Sequence, residues 1–216
     1  MDMVYALESK MNQTVERLWH KDSSLKGVDA VIVPGGFSYG DYLRSGAIAR
    51  FSPIMKEVVQ FANKGGLVFG VCNGFQILCE AGLLDGTLLH NNQQKFICKN
   101  VFLKSTSNNS LLNTLAPKDQ ALKIPIAHGE GRFFADNDTI KKLEDNDNII
   151  YKYCDENGIV NDASNPNGSI LNIAGICNDG KNVYGMMPHP ERAADKELGN
   201  TDGLFILEGL LNTVNA

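Results

Sequence analysis

Apolar strands that alternate with helices in the first half of the chain constrain its fold most strongly. The segment DAVIVPGG contains a four-residue apolar strand that stops at Pro34 and two glycines. SPIMKEVVQFANKGG predicts a helix with Ser52 as N-cap, Pro53 at its first position and Gly65 beyond its end. LVFGV reads as a buried strand, and GFQILCEAG as a helix that ends at Gly82. Such alternation predicts an α/β fold with a parallel sheet and helices on its faces.

The N-terminal segment does not fit this pattern completely. DMVYALESKM has its apolar residues at helical spacing, and TVERLW after it predicts a short strand. FSYGDYLRSGAIARF predicts a long polar and aromatic loop that leads into a short helix. A doubly wound sheet usually opens with a central strand before its first helix. This chain opens on a helix, so we expect the opening strand of the sheet to be missing.

The second half has a different pattern. KFICKNVFLKSTS, ALKIPIAHG and IIYKYC predict antiparallel strands. ILNIAGICNDGKNVYGMMPHP predicts a hairpin that turns at Asn178, Asp179 and Gly180, and TDGLFILEGLLNTV predicts a closing helix. No linker interrupts these segments, so we expect residues 1–216 to form a single domain.

Composition and charge exclude several classes of function. Hydrophobic residues make up 43% of the 216 positions and charged residues 21%, as in an ordinary globular protein. The net charge of -5, without a basic stripe, argues against nucleic acid and anionic membranes as partners. No apolar run approaches the roughly 18 residues of a membrane span, and the start lacks a secretory signal pattern. Five cysteines without a CxxC pair predict free thiols in the cytoplasm and no zinc site.

Cys72 lies where the strand LVFGV meets the following helix, and it has two interpretations. Free cysteine is among the most buried residue types, which favours a core position. Against this, Cys72 ends a buried strand, where open α/β sheets place their sites, and the positive end of the next helix favours a thiolate. Gly70 and Gly74 flank it at two residues on each side, as in a nucleophile elbow. Cys79, Cys98, Cys154 and Cys177 lack this setting.

A nucleophilic thiol needs a base and a group that orients the base. Of the four histidines, His90 and His128 are predicted in polar loops, whereas His189 follows an apolar strand in MMPHPER. Pro190 forces His189 into an extended conformation, in which residues two apart point the same way. His189 and Glu191 are therefore placed as a base and its carboxylate partner, although a His-Pro turn with a solvated glutamate would give the same tripeptide.

The end of the first apolar strand offers donors for an oxyanion. Gly35 and Gly36 end a parallel strand, so they lie on the same edge of the sheet as Cys72. The backbone N–H groups of Gly36 and Phe37, together with that of Asn73, could point at a developing oxyanion. Two glycines alone are weak evidence, and only their position relative to Cys72 gives them weight.

These motifs carry a resemblance to a known family. GVCNGFQ with a distant HPE resembles the class I (triad) glutamine amidotransferases, whose nucleophile motif reads G-x-C-x-G-x-Q. VPGGFSYGDYLRSGAIAR, HGEGRFF, NPNGS, IAGI and GMMPHPERA extend the resemblance over nearly the whole chain, towards the glutaminase subunits of phosphoribosylformylglycinamidine synthases. The resemblance implies a flavodoxin-like, open, mostly parallel sheet with an antiparallel second half.

The resemblance also implies roles for individual residues. Cys72 would be the nucleophile, His189 the general base and then acid, and Glu191 the residue that orients His189. Gln76 would contact the backbone of a glutamine substrate, and the oxyanion donors would be the N–H groups of Gly36, Phe37 and Asn73. The thiolate would attack the side-chain amide of glutamine, ammonia would leave, and water would hydrolyse the thioester.

Members of this family pass ammonia to a large synthetase subunit that consumes ATP with Mg²⁺, and in many bacteria a small third protein bridges the two. This sequence has no G-x-x-x-x-G-K-[ST] phosphate loop, so we expect no cofactor in this chain. Family members open with a strand and a PGSNCD-like loop, and this sequence starts after that point, as a late start codon or a truncation would produce. Two alternatives are a DJ-1/PfpI-like cysteine hydrolase and a non-catalytic regulatory module of the same fold.

Overall fold

The computed structural model describes residues 1–41, 44–108 and 120–214, and it is organised around a curled, mixed β-sheet. The helices are α1 (Asp2–Tyr5, continued by a π-helical turn at Ala6–Lys10), α2 (Pro53–Asn63), α3 (Asn73–Glu80), α4 (Asn137–Asp145) and α5 (Asp202–Val214). The strands are β1 (Ala30–Val33), β2 (Leu67–Val71), β3 (Thr87–Leu89), β4 (Ile97–Ser105), β5 (Leu122–His128), β6 (Arg132–Phe134), β7 (Ile149–Cys154), β8 (Ile173–Cys177) and β9 (Val183–Met186).

The main sheet has the strand order β1-β2-β9-β8-β7-β4-β5. Strands β1, β2 and β9 are parallel, whereas every other neighbouring pair in the described sheet is antiparallel. The α/β class and the antiparallel second half are thus confirmed, and the sheet is mixed rather than mostly parallel. The hairpin of β8 and β9 explains why. Its strand β9 is parallel to β2, whereas β8, on the other side of β9, is antiparallel to it.

Strand β2 and the two helices that flank it form the centre of the core. All five residues of β2 are buried, as expected for a strand covered on both faces. Helix α2 begins at Pro53 after Ser52, but the Ser52 hydroxyl donates to the carbonyl oxygen of Ala49 (2.7 Å) instead of capping the helix. Gly65 has a φ of 90°, so glycine is required where the chain leaves α2 and enters β2.

Several expectations from the sequence need correction. The segment TVERLW forms no strand, because no strand of the described part of the chain lies beside it. Helix α4, whose N-cap Asp136 accepts from the Thr139 N–H (2.8 Å), and the small ribbon of β3 and β6 were not predicted. The loop after β1 forms short 3-10 turns at Ser38–Asp41 and Ala49–Phe51, and Tyr42 and Leu43 of the predicted loop lie outside the described residues.

An apolar groove borders the outer edge of β1. Within the described residues, β1 pairs with β2 on one side and with no strand on the other. A cavity of about 520 Å³ lies there, lined mainly by apolar side chains of β1 and α2 and by the extended segment that contains Leu18. A further strand beside β1 would lie in this groove, so the opening strand stays a prediction with a defined location. No helix in the described part of the chain could span a membrane.

Candidate active site

Cys72 occupies a sharp turn between β2 and α3. Its backbone has φ 51° and ψ -107°, a region that residues with a side chain rarely adopt and that is associated with functional strain. A Cβ atom at Gly70 would lie 2.8 Å from the carbonyl carbon of Gly74, and one at Gly74 would lie 1.8 Å from the carbonyl oxygen of Val33. Both flanking glycines are therefore required sterically, as the elbow pattern predicted.

The Cys72 thiol lies at the carboxyl edge of the parallel strands. The Cys72 N–H donates to the carbonyl oxygen of Met186 at the end of β9 (2.8 Å). Its sulfur lies 3.7 Å from the carbonyl oxygen of Ala127 in β5, and the residue is only 6% exposed. The Gln76 N–H donates to the Cys72 carbonyl oxygen (3.2 Å), so the N–H groups of residues 73–75 precede the first such bond of α3. They give the start of this helix, next to Cys72, a positive partial charge.

His189 and Glu191 form a buried pair. Nδ1 of His189 lies 2.6 Å from Oε1 of Glu191, and both side chains are almost fully buried. The sequence argument placed the two residues on one face of an extended segment, whereas the chain turns into a 3-10 helix at Pro190–Ala193 and makes the contact from there. The His189 N–H donates to the carbonyl oxygen of Pro125 (2.8 Å), which ties this turn to β5.

The pKa of His189 reflects opposing effects. Burial lowers it, but interactions with Cys72 and Glu191 outweigh burial and raise the pKa from 6.5 to about 9. These two contacts therefore make the His189 imidazole a stronger base than burial alone would allow. Its Nε2 has no hydrogen-bond partner among the described residues. A Cβ at Gly35 would lie 2.7 Å from Cε1 of His189 and 3.5 Å from Cβ of Cys72, so the imidazole and the thiol-bearing carbon both lie against Gly35.

The loop with the predicted oxyanion donors is joined to α3. The Ser38 N–H donates to Oδ1 of Asn73 (3.3 Å), which connects the loop after β1 to the first residue of the helix. A Cβ at Gly36 would have no heavy atom within 4 Å, so the space beside Gly36 is open. Gly36, Phe37 and Asn73 thus lie around the same edge of the sheet as the thiol, and their role as donors stays a prediction.

Gln76 lies one helical turn beyond Cys72, and its side chain is buried and held at both ends. Asn73 Nδ2 donates to Gln76 Oε1 (2.8 Å), and Gln76 Nε2 donates to the carbonyl oxygen of Glu130. The predicted glutamine-binding residue is therefore connected to the HGEG segment that follows β5.

His128 is a residue that the sequence reasoning misplaced. It is not in a polar loop but ends β5, where it is 3% exposed, and its Nδ1 lies 3.0 Å from Oδ1 of Asn91. Burial, together with the charge of His189, lowers the pKa of His128 to about 4, so it is neutral at neutral pH. The alternation in LKIPIAH, whose positions 122, 124, 126 and 128 are buried, was the available signal.

The remaining thiols have environments that differ from that of Cys72. Burial raises the pKa of Cys79 well above its usual value and raises the pKa values of Cys154 and Cys177 to about 11. Cys98 is exposed in β4. Across the described ranges, no cluster of three or more His, Cys, Asp or Glu residues could hold a metal ion.

Comparison with known proteins defines the class to which this fold and site belong. Residues 1–202 match the model of the CobB/CobQ-like glutamine amidotransferase domain, and the chain belongs to that family. Among curated proteins, phosphoribosylformylglycinamidine synthase subunit PurQ of Salinibacter ruber is 51% identical over 99% of this chain and 91% of its own length. Subunit PurQ of Moorella thermoacetica is 53% identical over 98% of this chain and 89% of its own length.

Solved structures show the same relationship. A chain in the structure of PurLQS from Thermotoga maritima is 39% identical, with a TM-score of 0.84 over 99% of this chain and 92% of that chain. A glutamine amidotransferase from Thermotoga maritima superposes with a TM-score of 0.54 over 95% of this chain and 84% of that chain at 15% identity, which supports the fold alone. The resemblance inferred from the sequence motifs is thereby confirmed.

Proposed function

We propose that this chain is the glutaminase subunit of a phosphoribosylformylglycinamidine synthase. It hydrolyses glutamine and supplies ammonia to a partner synthetase subunit that converts formylglycinamide ribonucleotide to formylglycinamidine ribonucleotide in de novo purine biosynthesis. The observation that carries this proposal is the buried pair of His189 and Glu191 beside the thiol of the strained residue Cys72. The similarity to PurQ subunits over nearly the whole chain supports glutamine as the substrate and a synthetase as the partner.

The proposed reaction is acyl transfer through the thiol. His189 takes the proton of Cys72, and the thiolate attacks the side-chain carbonyl carbon of glutamine. The N–H groups of Gly36, Phe37 and Asn73 stabilise the oxyanion that forms. His189 then gives its proton to the departing ammonia and activates the water that hydrolyses the thioester, while Glu191 holds the imidazole in position.

The partners follow from the solved assembly of the relative. PurLQS predicts a large synthetase subunit and a small bridging subunit as partners of this chain. In this proposal the synthetase holds ATP and Mg²⁺, and this chain carries no cofactor. Residues 1–216 form one glutamine amidotransferase domain that acts in the cytoplasm.

The test is glutamine hydrolysis, measured as glutamate formed, by the chain alone and in complex with its synthetase and bridging subunits. We expect hydrolysis in the complex and its loss in Cys72→Ala. Cys98→Ala is the matched control, because Cys98 is exposed in β4 and should be dispensable. A complex of the unaltered chain that assembles but does not hydrolyse glutamine would contradict the proposal, as would full activity in Cys72→Ala.

A further inference from the structure

The HGEG segment, residues 128–131, adjoins the candidate site, yet the proposed chemistry gives its carboxylate no role. It follows Ala127, whose carbonyl oxygen lies against the Cys72 sulfur. The carbonyl oxygen of Glu130 accepts from Gln76 Nε2, one turn and about 6 Å along α3 from Cys72. Glu130 is thus fixed beside the site at the level of Gln76.

The carboxylate of Glu130 is largely buried and lacks a strong cationic partner. Its side chain is 13% exposed. Oε2 accepts from the Ser45 N–H (3.0 Å), and Oε1 lies 3.2 Å from Nε2 of the exposed His90. No lysine or arginine within the described residues forms an ion pair with it, whereas the nearby Glu80 pairs with Arg44.

The loop that holds this carboxylate is itself fixed on α3. A Cβ at Gly46 would lie 2.8 Å from the backbone nitrogen of Ile77, so the backbone at Ser45 and Gly46 lies directly against the helix next to Gln76. The Ser45 N–H therefore holds the Glu130 carboxylate in one orientation. A buried carboxylate is costly unless it is paired. Its one ionic neighbour among the described residues is the exposed His90, so the carboxylate can accept a cation from outside the chain.

The substrate of the proposed reaction carries such a cation. Glutamine is a zwitterion whose α-ammonium lies four bonds from the carbonyl carbon that the thiol attacks. When that carbon is at Cys72 and Gln76 contacts the amino acid end, as the family resemblance implies, the α-ammonium lies at the level of Gln76. Glu130 is the carboxylate at that level without a lysine or arginine partner within the described residues.

We propose that the Glu130 carboxylate binds the α-ammonium of glutamine and makes the site specific for side-chain amides that carry an α-ammonium group. This inference rests on the proposed glutaminase function and assigns a specificity-determining residue to it. Ser45 acts through Glu130 as a positioning residue, by way of its backbone N–H.

The test compares glutamine with glutaramate, the monoamide of glutaric acid, which has the same amide and carboxylate but no α-ammonium. The kcat/KM values for both compounds are measured in the complex with the synthetase partners. We expect the unaltered chain to prefer glutamine roughly 10- to 100-fold, the range of a hydrogen-bonded charge pair. In Glu130→Gln the preference should fall to within about threefold, through a higher KM for glutamine at little-changed kcat.

Glu80→Gln is the matched control, because it removes a neighbouring carboxylate and should keep the preference for glutamine. A second measurement does not depend on turnover: calorimetry of glutamine binding to Cys72→Ala with and without Glu130→Gln. Equal affinity in these two variants, or an unchanged preference in an active Glu130→Gln, would overturn the assignment of Glu130 alone. Failure of the unaltered complex to hydrolyse glutamine would instead contradict the proposed function, and this inference with it.

Discussion

The local sequence predicts the positions of the three candidate catalytic residues, Cys72, His189 and Glu191, to different degrees. Gly70 and Gly74 predict the elbow at Cys72, because a side chain at either position would collide with backbone atoms. The contact between His189 and Glu191 was expected for a different backbone, since the 3-10 turn replaces the extended segment. The raised pKa of His189 depends on Cys72 as well as Glu191, so it could not be read from the HPE tripeptide.

We predict that Glu191→Gln lowers glutaminase turnover roughly 10²- to 10⁴-fold, the usual contribution of acid–base catalysis, and by less than Cys72→Ala does. The carboxylate orients and stabilises His189, whereas the thiol forms the covalent intermediate. Steady-state kinetics of the assembled complex measures the effect. Circular dichroism of both variants is the control for folding. Equal turnover in Glu191→Gln and the unaltered chain would remove Glu191 from the site.

We predict that Glu191→Gln also changes how the free energy of unfolding depends on pH. Folding raises the pKa of His189 from 6.5 to about 9, so the folded state binds more protons between these values. The resulting stabilisation is fully present below pH 6.5 and is lost as the pH rises through about 9. Without the Glu191 carboxylate the pKa of His189 should be lower, so denaturant midpoints should fall less between pH 6.5 and 9. A pH dependence identical to that of the unaltered chain would show that Glu191 does not raise this pKa.

At the scale of secondary structure, the local sequence pattern predicted most elements of the first half, but a strand also needs a neighbouring strand. The strands β1 and β2 and the helices α2 and α3 formed where the apolar periodicity and the Pro and Gly signals placed them. TVERLW has a strand-like composition, but a strand needs a neighbour to satisfy its backbone groups, and the groove separates this segment from β1. A strand bound in that groove would supply such a neighbour.

We predict that extending the chain before Met1 with a family-like apolar strand of about a dozen residues stabilises it. Arg192, just after β9, pairs with Asp2 (3.0 Å), so α1 begins near the carboxyl edge of the parallel strands and a preceding strand can run parallel to β1. Backbone hydrogen bonds contribute about 1 kcal/mol each, and each kcal/mol raises the melting temperature of a domain this size by about 2–4 °C.

Thermal melts of the chain as given and of the extended chain test this prediction, and we expect an increase on the order of 10 °C. An extension of equal length with its apolar residues replaced by serine and asparagine is the matched control. Identical melting of the apolar and polar extensions would show that the groove beside β1 does not bind a strand.

At the scale of the whole molecule, the curl of the sheet assembles the site. β5 is an edge strand in the strand order, far from β2, yet its carbonyl groups contact both the Cys72 sulfur and the His189 N–H. The edge strand of the antiparallel half thus lies close to the carboxyl ends of the parallel strands. This arrangement places the HGEG segment beside α3, which no local pattern indicated.

We predict that free ammonia replaces the chemistry of this chain in the assembled synthetase. With the partner subunits and ATP, Cys72→Ala should make no formylglycinamidine ribonucleotide from glutamine. It should make the product from a high concentration of ammonium salt at raised pH, where more NH₃ is present, because the amination belongs to the synthetase. Product formation is measured directly, and a sizing column verifies assembly. Loss of both reactions in an assembled complex would show that this chain takes part in the synthetase chemistry.

The sequence by itself determined the α/β class and the elbow at Cys72, because both depend on steric and polar patterns of neighbouring residues. It also predicted that His189 pairs with Glu191, but the 3-10 turn that makes this contact was decided by the tertiary structure. The tertiary structure decided the mixed strand order, the burial of His128 at the end of β5, the apolar groove beside β1 and the position of Glu130 beside Gln76. These features join residues far apart in the chain. They follow from how the sheet curls and which strands become neighbours, and neither periodicity nor a local motif encodes that choice.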